Sequence, residues 1–276
     1  MKKWQLLLAI ILATCAALAI FLALQSEKAL LIHPKGIMAR SELHLLAIQF
    51  LLMLIVIVPT FVCLFLTVWG KKRTEPRRIK QPILWLIPSS IIAIMGVVTW
   101  KAAHKLDPYQ PLTSDIKPLT IQVVALDWKW LFIYPELDIA TVNFLQFPAA
   151  TPIHFHLAAD GSPMNSFWIP ELSGQIYSMT GMSTSLHLMA DGPGHYTGRA
   201  AEINGTGYAD MTFAVTSSSL ADFAEWVSTV KQSANSLTEA TYNELIQPTI
   251  GHPVTFYSSV KSNLYHDIMM KYMEPE

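Results

Sequence analysis

Charged residues are scarce in this sequence. Only 14% of its 276 residues are Asp, Glu, Lys or Arg, whereas an ordinary soluble protein has about 25%. Hydrophobic residues make up 52% of the chain, and this balance argues against a wholly soluble protein and indicates membrane-spanning segments. The formal net charge of −1 gives no reason to expect nucleic acid as a partner.

Cysteine is also nearly absent. Cys15 and Cys63 lie in apolar runs of the N-terminal quarter, and no cysteine follows them. A structural disulfide is therefore not expected. The sequence also has no evident nucleophile–base pattern, phosphate-binding loop or dinucleotide fingerprint.

Three apolar stretches organise the first hundred residues: 4–24, 43–69 and 82–100. A spanning helix needs about 20 mostly apolar residues, and the second and third stretches qualify. Each has an internal proline, which spanning helices tolerate. We therefore predict a two-helix transmembrane hairpin over residues 41–103.

The segment between these two helices is strongly basic. It reads GKKRTEPRRIKQ (residues 70–81) and has six Lys or Arg residues against one Glu. A loop of this kind stays on the cytoplasmic side, and an additional role as a patch for anionic lipid is compatible with that. Everything after Trp100 is then expected on the outer side of the membrane.

The first apolar stretch allows two interpretations. Lys2 and Lys3 before an apolar run are typical of a secretory signal, and LATC (residues 12–15) is similar to a lipobox, in which Cys15 would be acylated. Thr14 departs from the small residue usual before such a cysteine, and the run continues to Leu24. Residues 1–24 are therefore either a signal peptide or an uncleaved N-terminal anchor.

Short strand-like runs follow a Pro-containing linker and define a domain over residues 118–216. Turn residues separate the runs, a pattern that favours a β-sandwich or barrel. The runs cover residues 119–126, 128–134, 141–147, 151–158, 174–179, 184–189, 195–201 and 209–215.

The last segment, residues 217–276, is predicted to be helical. A serine precedes its first helix, Thr238 is a candidate N-cap for the second, and Ser262 or Asn263 for the third. This extension is rich in tyrosine and phenylalanine, and we expect these rings to pack against the β domain.

Two motifs connect this organisation to a known family. ALDWKWLFIYPE (residues 125–136) resembles the aromatic signature of subunit II of the haem–copper respiratory oxidases, and MNSFWIPELSGQIYSMTGM (residues 164–182) resembles its first metal-loop region. The resemblance covers nearly the whole chain after Leu31 and is greatest to the quinol oxidase branch, the cytochrome bo type. It implies a membrane-anchored α + β protein: two transmembrane helices, an all-β cupredoxin-like sandwich and a helical C-terminal extension.

The resemblance also locates a lost metal site. Relatives that oxidise cytochrome c carry a dinuclear copper centre with two bridging Cys thiolates, two His, a Met and a Glu carbonyl. The corresponding residues here, called the copper-loop positions below, are Asn165, Ala200, Glu202, Asn204, Tyr208 and Met211. Copper centres of this kind and of the blue type need thiolate, so we predict no metal in this domain.

Losing that centre changes the electron donor that the resemblance implies. A soluble cytochrome c would need an outer electron port, whereas ubiquinol reaches a partner subunit through the bilayer. The implied protein is a non-catalytic subunit II of a ubiquinol:oxygen oxidoreductase that contributes to the proton gradient. Its haems and copper would lie in subunit I, further small membrane subunits and lipid would be its other partners, and its C-terminal domain would lie in the periplasm of a bacterium.

Relatives often have a glutamate four residues before the Trp of a W-x-x-P motif, where it is associated with a proton path into subunit I. The residue four before Trp85 is Gln81. An amide cannot release a proton at neutral pH, so either a nearby group substitutes at this proton-path entry position or the proton entry differs here. The alternative interpretation, which we favour, is that Gln81 is a polar residue of the membrane interface.

Other polar residues receive weaker interpretations. Asp127, Trp128, Lys129 and Trp130 are candidate contacts with subunit I, although the two tryptophans could equally belong to the core. His154 and His156, in HFH, would share one face of a strand and could bind metal, but no third ligand is evident, so we interpret them as exposed. His187 and His195 are interpreted as structural.

Two alternative functions remain open at this stage. A cytochrome c oxidase subunit II is opposed by the missing copper ligands. A free-standing, membrane-anchored β domain that serves binding or assembly is opposed by helices suited to contact a partner, and a neighbouring gene for subunit I would decide against it.

Overall fold

The structure is a computed structural model that describes residues 30–69, 81–161 and 164–273. The predicted N-terminal segment with Cys15 and the basic residues of the predicted cytoplasmic loop lie outside the described residues.

Two long helices confirm the helical part of the prediction. Helix α1 covers Ile37–Trp69 and helix α2 covers Gln81–Lys105. Their apolar spans of 29 and 21 residues, with mean hydropathies of 2.7 and 1.6, are long and apolar enough to cross a membrane. Gln49 Nε2 donates to Thr99 Oγ1 at 2.8 Å, a hydrogen bond of the kind that joins helices in an apolar environment.

Eleven strands are described in the second part of the chain. They are β1 Leu119–Leu126, β2 Lys129–Tyr134, β3 Ile139–Val142, β4 Phe144–Pro148, β5 Ile153–Ala159, β6 Met164–Trp168, β7 Ile176–Met179, β8 Thr184–Leu188, β9 Gly194–Ala200, β10 Thr212–Ser218 and β11 Thr255–Tyr257. Strands β6 and β11 were not among the predicted runs.

These strands form the predicted sandwich of two sheets. One sheet has the order β11-β3-β2-β1-β5-β8 and the other β4-β10-β9-β6-β7. Neighbouring strands are antiparallel except for the parallel pairs β1–β5 and β4–β10. The two parallel pairs mean that the chain crosses between the sheets instead of running through simple hairpins.

Aromatic rings fill the space between the sheets. Phe167 and Phe213 stack with 5.2 Å between ring centroids, and Trp130 meets Phe167 edge-on at 5.3 Å. All three side chains are buried, and such ring pairs add stability beyond the burial of their area. Gly198 makes room for them, because a Cβ there would lie 1.9 Å from Phe213 Cζ.

Asn143 carries the chain from one sheet to the other. The prediction of a single strand over residues 141–147 is wrong, because this segment is divided between β3 and β4. Asn143 separates them with a φ of 55°, a left-handed conformation that Asn adopts more readily than most residues. Its side chain accepts from the Trp130 N–H at 2.9 Å and donates to the His252 carbonyl at 2.8 Å, so hydrogen bonds fix the break.

Three helices follow the sandwich, as predicted. They are α3 Leu220–Lys231, α4 Glu239–Leu245 and α5 Leu264–Met270. Ser219 and Thr238 are the N-caps of the first two helices. The Ser219 side chain accepts a hydrogen bond from the Asp222 N–H, and the Thr238 side chain accepts one from the Thr241 N–H. Each cap thus satisfies a backbone donor that has no partner within its helix. Asn263 occupies the N-cap position of α5 without a capping side-chain bond.

The C-terminal extension covers the outer face of the six-stranded sheet, and the prediction that its rings pack on the β domain is confirmed. Apolar side chains of β1, β2 and β3 form a second buried cluster with residues of the extension. The extension contributes Leu237, Tyr242, Leu245, Tyr257, Leu264, Tyr265 and Ile268 to that cluster.

A buried carboxylate fastens this extension. Asp160, only 1% exposed, accepts hydrogen bonds from Tyr242 Oη at 2.7 Å, Tyr272 Oη at 2.6 Å and Lys271 Nζ at 2.8 Å. Burial by itself raises the pKa of Asp160, but these donors outweigh it and hold the pKa below its ordinary value. One carboxylate therefore ties the end of β5 to α4 and to the residues after α5.

A second attachment lies before the first long helix. Gly36 pairs with Ala190 in an isolated antiparallel bridge, and the Asp191 N–H donates to the Lys35 carbonyl at 2.9 Å. A Cβ on Gly36 would lie 2.8 Å from the Leu172 carbonyl oxygen, so only glycine permits this approach. The segment Pro34–Arg40 therefore belongs to the same compact unit as the sandwich.

We expect Asp160→Asn to lower the free energy of unfolding by roughly 2 kcal/mol, because the charged acceptor of three hydrogen bonds is lost. Tyr272→Phe, which removes one donor, should cost about 1 kcal/mol. Urea unfolding of the detergent-solubilised chain measures both, with the exposed Asp115→Asn as control.

The pH dependence of Asp160→Asn follows from the lowered pKa. The stability that Asp160 contributes is fully present above the pKa of an unfolded Asp, about 3.9, and is lost as the pH falls through its lower folded pKa. The difference between wild type and variant should therefore be constant from pH 7 to pH 5 and shrink below about pH 4. A difference that grows on acidification would contradict the assignment.

Candidate functional site

Three of the copper-loop positions lie in direct contact at one end of the sandwich. Asn204 Nδ2 donates to Asn165 Oδ1 and also lies 3.0 Å from Met211 Sδ. Asn165 and Met211 are fully buried. The fold thus brings together residues 39 and 7 positions apart in the chain, in a polar contact surrounded by the core.

The remaining copper-loop positions frame this contact. Ala200 is buried, and its N–H donates to the Met211 carbonyl at 3.1 Å. Glu202 is exposed, while Tyr208 is half-buried against the core and begins a short 3₁₀ turn. A backbone hydrogen bond therefore joins the end of β9 to the residue before β10 and closes the loop between them.

The chemistry of these side chains is poor for copper. Two amides, a methyl group and a phenol stand where such a centre needs two thiolates and two imidazoles, and only the Met211 thioether and the Glu202 carbonyl match its ligand set. Among the described residues, the buried atoms Asn165 Nδ2 and Asn204 Oδ1 have no hydrogen-bond partner. Their arrangement stabilises the loop through one amide contact while leaving half of each amide unpaired, which lowers its net contribution.

Trp128 lies over the same loop. It occupies the turn between β1 and β2 with a φ of 62°, and its ring faces Gly205 and Gly207. A Cβ on Gly207 would lie 2.3 Å from Trp128 Cγ. Gly205 has a φ of 120°, which side chains rarely permit, so both glycines are needed for the ring to pack.

The other predicted subunit contacts are mostly inside the domain. Lys129 is fully buried, and its Nζ donates to the Gln247 carbonyl at 2.6 Å. Burial lowers the pKa of Lys129, and Asp127 opposes that shift. Trp130 belongs to the aromatic core. Neither Lys129 nor Trp130 has exposed surface, so of the four predicted residues only Asp127 and Trp128 could touch a partner. The burial of Lys129 could not be predicted, because the Gln247 carbonyl that accepts from it lies far away in the sequence.

The histidines are arranged differently from the prediction. His187 is not isolated: its ring stacks on that of His154 with 4.1 Å between centroids, and the ring of His156 also lies 4.1 Å from that of His154. His154 and His156 are half-buried and His187 is buried. Strand pairing explains the miss, since a cross-strand neighbour is not visible in the sequence. His195 stays apart, with its Nδ1 3.2 Å from Thr216 Oγ1.

Gln81 is the first residue of α2. Its role at the membrane interface stays a prediction.

Comparison with known proteins gives one family and several full-length relatives. Residues 231–276 match the family described as the COX Aromatic Rich Motif. The chain is 44% identical over 252 residues to cytochrome bo(3) ubiquinol oxidase subunit 2 of Pseudomonas aeruginosa, covering 88% of this chain and 76% of the relative. It is 37% identical to quinol oxidase subunit 2 of Bacillus cereus (strain ATCC 14579), covering 88% of this chain and 87% of the relative.

A solved structure is similar to part of the chain. The periplasmic domain of subunit II of cytochrome oxidase (CoxB) of Bradyrhizobium japonicum matches 44% of this chain and 96% of its own, with a TM-score of 0.40 and 20% sequence identity.

Fold and site together define a class: a protein with two membrane-capable helices, a β-sandwich whose copper-loop positions carry neither thiolate nor imidazole, and an aromatic-rich extension. Within this class, the sequence identity of 37–44% to quinol oxidase subunits 2, over most of the chain, determines the family. The chain belongs to the family of quinol oxidase subunits 2.

We expect Gly207→Ala to displace Trp128 and to lower the free energy of unfolding by roughly 1–3 kcal/mol, the usual cost of overpacking. The φ of Gly207 is −91°, which alanine adopts without strain, so the loss of stability would come from the steric clash with Trp128. Gly192→Ala is the matched control, because a Cβ there meets nothing within 4 Å. Thermal unfolding compares the two variants, and equal melting temperatures would show that Trp128 does not depend on the loop.

Proposed function

We propose that this chain is the non-catalytic subunit 2 of a ubiquinol:oxygen oxidoreductase that reduces O2 to water and contributes to the proton gradient. It supports the catalytic subunit and carries no redox centre. The supporting observation is the residue set of the copper loop: Asn165 and Asn204 stand at positions that the resemblance assigns to a histidine and a cysteine, and Asn204 contacts Asn165 and Met211.

The donor follows from this loop. A water-soluble donor delivers electrons outside the membrane, so it needs a centre there to accept them. Without thiolate or imidazole at the copper-loop positions, the sandwich has no such centre. A quinol dissolved in the bilayer can reach a haem of the partner subunit directly, and it is the donor named for the relatives.

The proposed partners are oxidase subunit I, which would hold the haems and copper, and further small membrane subunits. Apolar side chains project outward along both long helices and suit either lipid or a helical partner. Such exposed side chains include Leu46, Phe50, Phe61, Trp85, Ile92 and Trp100. On the sandwich, Asp127 and Trp128 are the proposed contacts, because they alone keep surface among the four predicted residues.

The proposed location is the bacterial inner membrane, with the sandwich and extension in the periplasm. The basic loop over residues 70–81 supports this orientation. Residues 1–24 would be either a cleaved signal that leaves a lipidated Cys15 or an uncleaved anchor. Domain limits of 41–103, 118–216 and 217–276 are proposed on the same basis.

A free-standing binding or assembly protein is not favoured, because relatives aligned over 88% of the chain are oxidase subunits.

Oxygen uptake by the purified complex that contains this chain tests the proposed donor. We expect uptake with ubiquinol and only background uptake with reduced cytochrome c. A copper-bearing cytochrome c oxidase, assayed with the same two donors, is the matched control and should show the opposite preference. Uptake with reduced cytochrome c that equals uptake with ubiquinol would refute the assignment of the copper loop.

A further inference from the structure

Three histidines share one face of the six-stranded sheet. His154 and His156 are two residues apart on β5, so both point away from the core side to which Phe155 belongs. On the antiparallel neighbour β8, His187 lies directly opposite His154 in the strand register. This face is separate from the copper-loop positions, which lie on and between strands of the other sheet.

Pairing brings the three rings together. The rings of His154 and His187 are stacked at 16° and those of His154 and His156 are tilted at 50°, each pair with 4.1 Å between centroids. The other direct strand neighbours, Thr120 and Gln122 on β1 and Ser185 on β8, carry no charge. The imidazoles therefore dominate the chemistry of this surface.

His187 shows a hydrogen bond typical of a ligand. Its Nδ1 lies 3.0 Å from the carbonyl oxygen of Pro108, and a carbonyl can only accept, so Nδ1 carries the proton. In the neutral ring Nε2 then has the lone pair. Metal-binding histidines usually donate their second nitrogen to a carbonyl or carboxylate in this way, which fixes the tautomer and the ring.

We propose that His154, His156 and His187 form a binding site for a divalent transition metal such as Zn2+ or Cu2+. Three imidazoles and a water are a recurrent tetrahedral ligand set for zinc, and imidazole suits copper equally. The site goes beyond the oxidase function proposed above and is independent of the lost copper centre.

Binding requires the rings to turn. Across residues 30–69, 81–161 and 164–273, no group of three or more His, Cys, Asp or Glu is placed so that it could hold a metal ion as the side chains lie in this structure, and stacked rings cannot aim their nitrogens at one point about 2.1 Å away. His154 and His156 are half-exposed, so they can rotate towards the fixed His187. The metal would replace ring stacking with coordination.

Isothermal titration of Zn2+ alone into the full chain, purified in detergent at pH 7.5 without a histidine tag, tests the site. We expect one equivalent to bind per chain. His156→Gln should weaken binding by at least about 100-fold, since even the hydrogen-bond partners of ligands contribute about 10- to 100-fold. His195→Gln, on the other sheet, is the matched control and should bind as the wild type does.

Two further measurements keep the test decisive. Substitution with Co2+ should give visible absorption typical of tetrahedral nitrogen coordination in the wild type and not in His156→Gln. His154→Gln should repeat the loss, and thermal unfolding without metal checks that each variant is folded. Absence of one-equivalent binding, or equal binding by His156→Gln and the wild type, would overturn the proposal.

Discussion

The central strands of the six-stranded sheet are apolar on both faces, and this constraint organises the soluble part of the protein. Every residue of β2 is buried, and so are the last four of β1. A sheet of this kind cannot face water on either side. The second sheet covers one face through the aromatic core, and the C-terminal extension covers the other. The extension thus completes a second hydrophobic core on the outer face of the sheet. Polar side chains of the covered region must then pair with the extension: Lys129 donates to the Gln247 carbonyl, and Asp160 accepts from Tyr242 and Tyr272.

Retention of the copper loop has a similar structural reason. Its backbone continues the sheet, since Ala200 and Met211 bond to each other between β9 and β10. Trp128 needs Gly207 for its packing. The contacts that the core requires here are made by the backbone and by the glycines, so they do not depend on which side chains occupy the copper-loop positions. Asn165 and Asn204 close the loop by a hydrogen bond, a much weaker clamp than metal coordination.

Much of the fold could be predicted, because the local sequence patterns favour the same helices and strands that the tertiary packing requires. The apolar lengths predict both long helices, and Thr238 marks the start of α4 as its N-cap. Strand β6 escaped prediction because its MNSFW sequence lies in a motif interpreted as a metal loop. Asn143 breaks a run whose composition favours a strand, and only its hydrogen bonds to Trp130 and His252 determine where. These contacts join residues far apart in sequence, so no local pattern contains them.

The two candidate sites differ in the same way: one could be located from the sequence and the other could not. The copper-loop positions could be located in the sequence by their motif. The structure places Asn165, Asn204 and Met211 in contact, and the former metal-binding role of these positions stays a prediction. The histidine cluster could not be predicted, because His187 meets His154 only through the register of β5 and β8. A register shift of one residue would send His187 to the core side. The burial of Leu186 and Leu188 on that side therefore sets the register, and the hydrophobic core determines which polar residues meet on the opposite face.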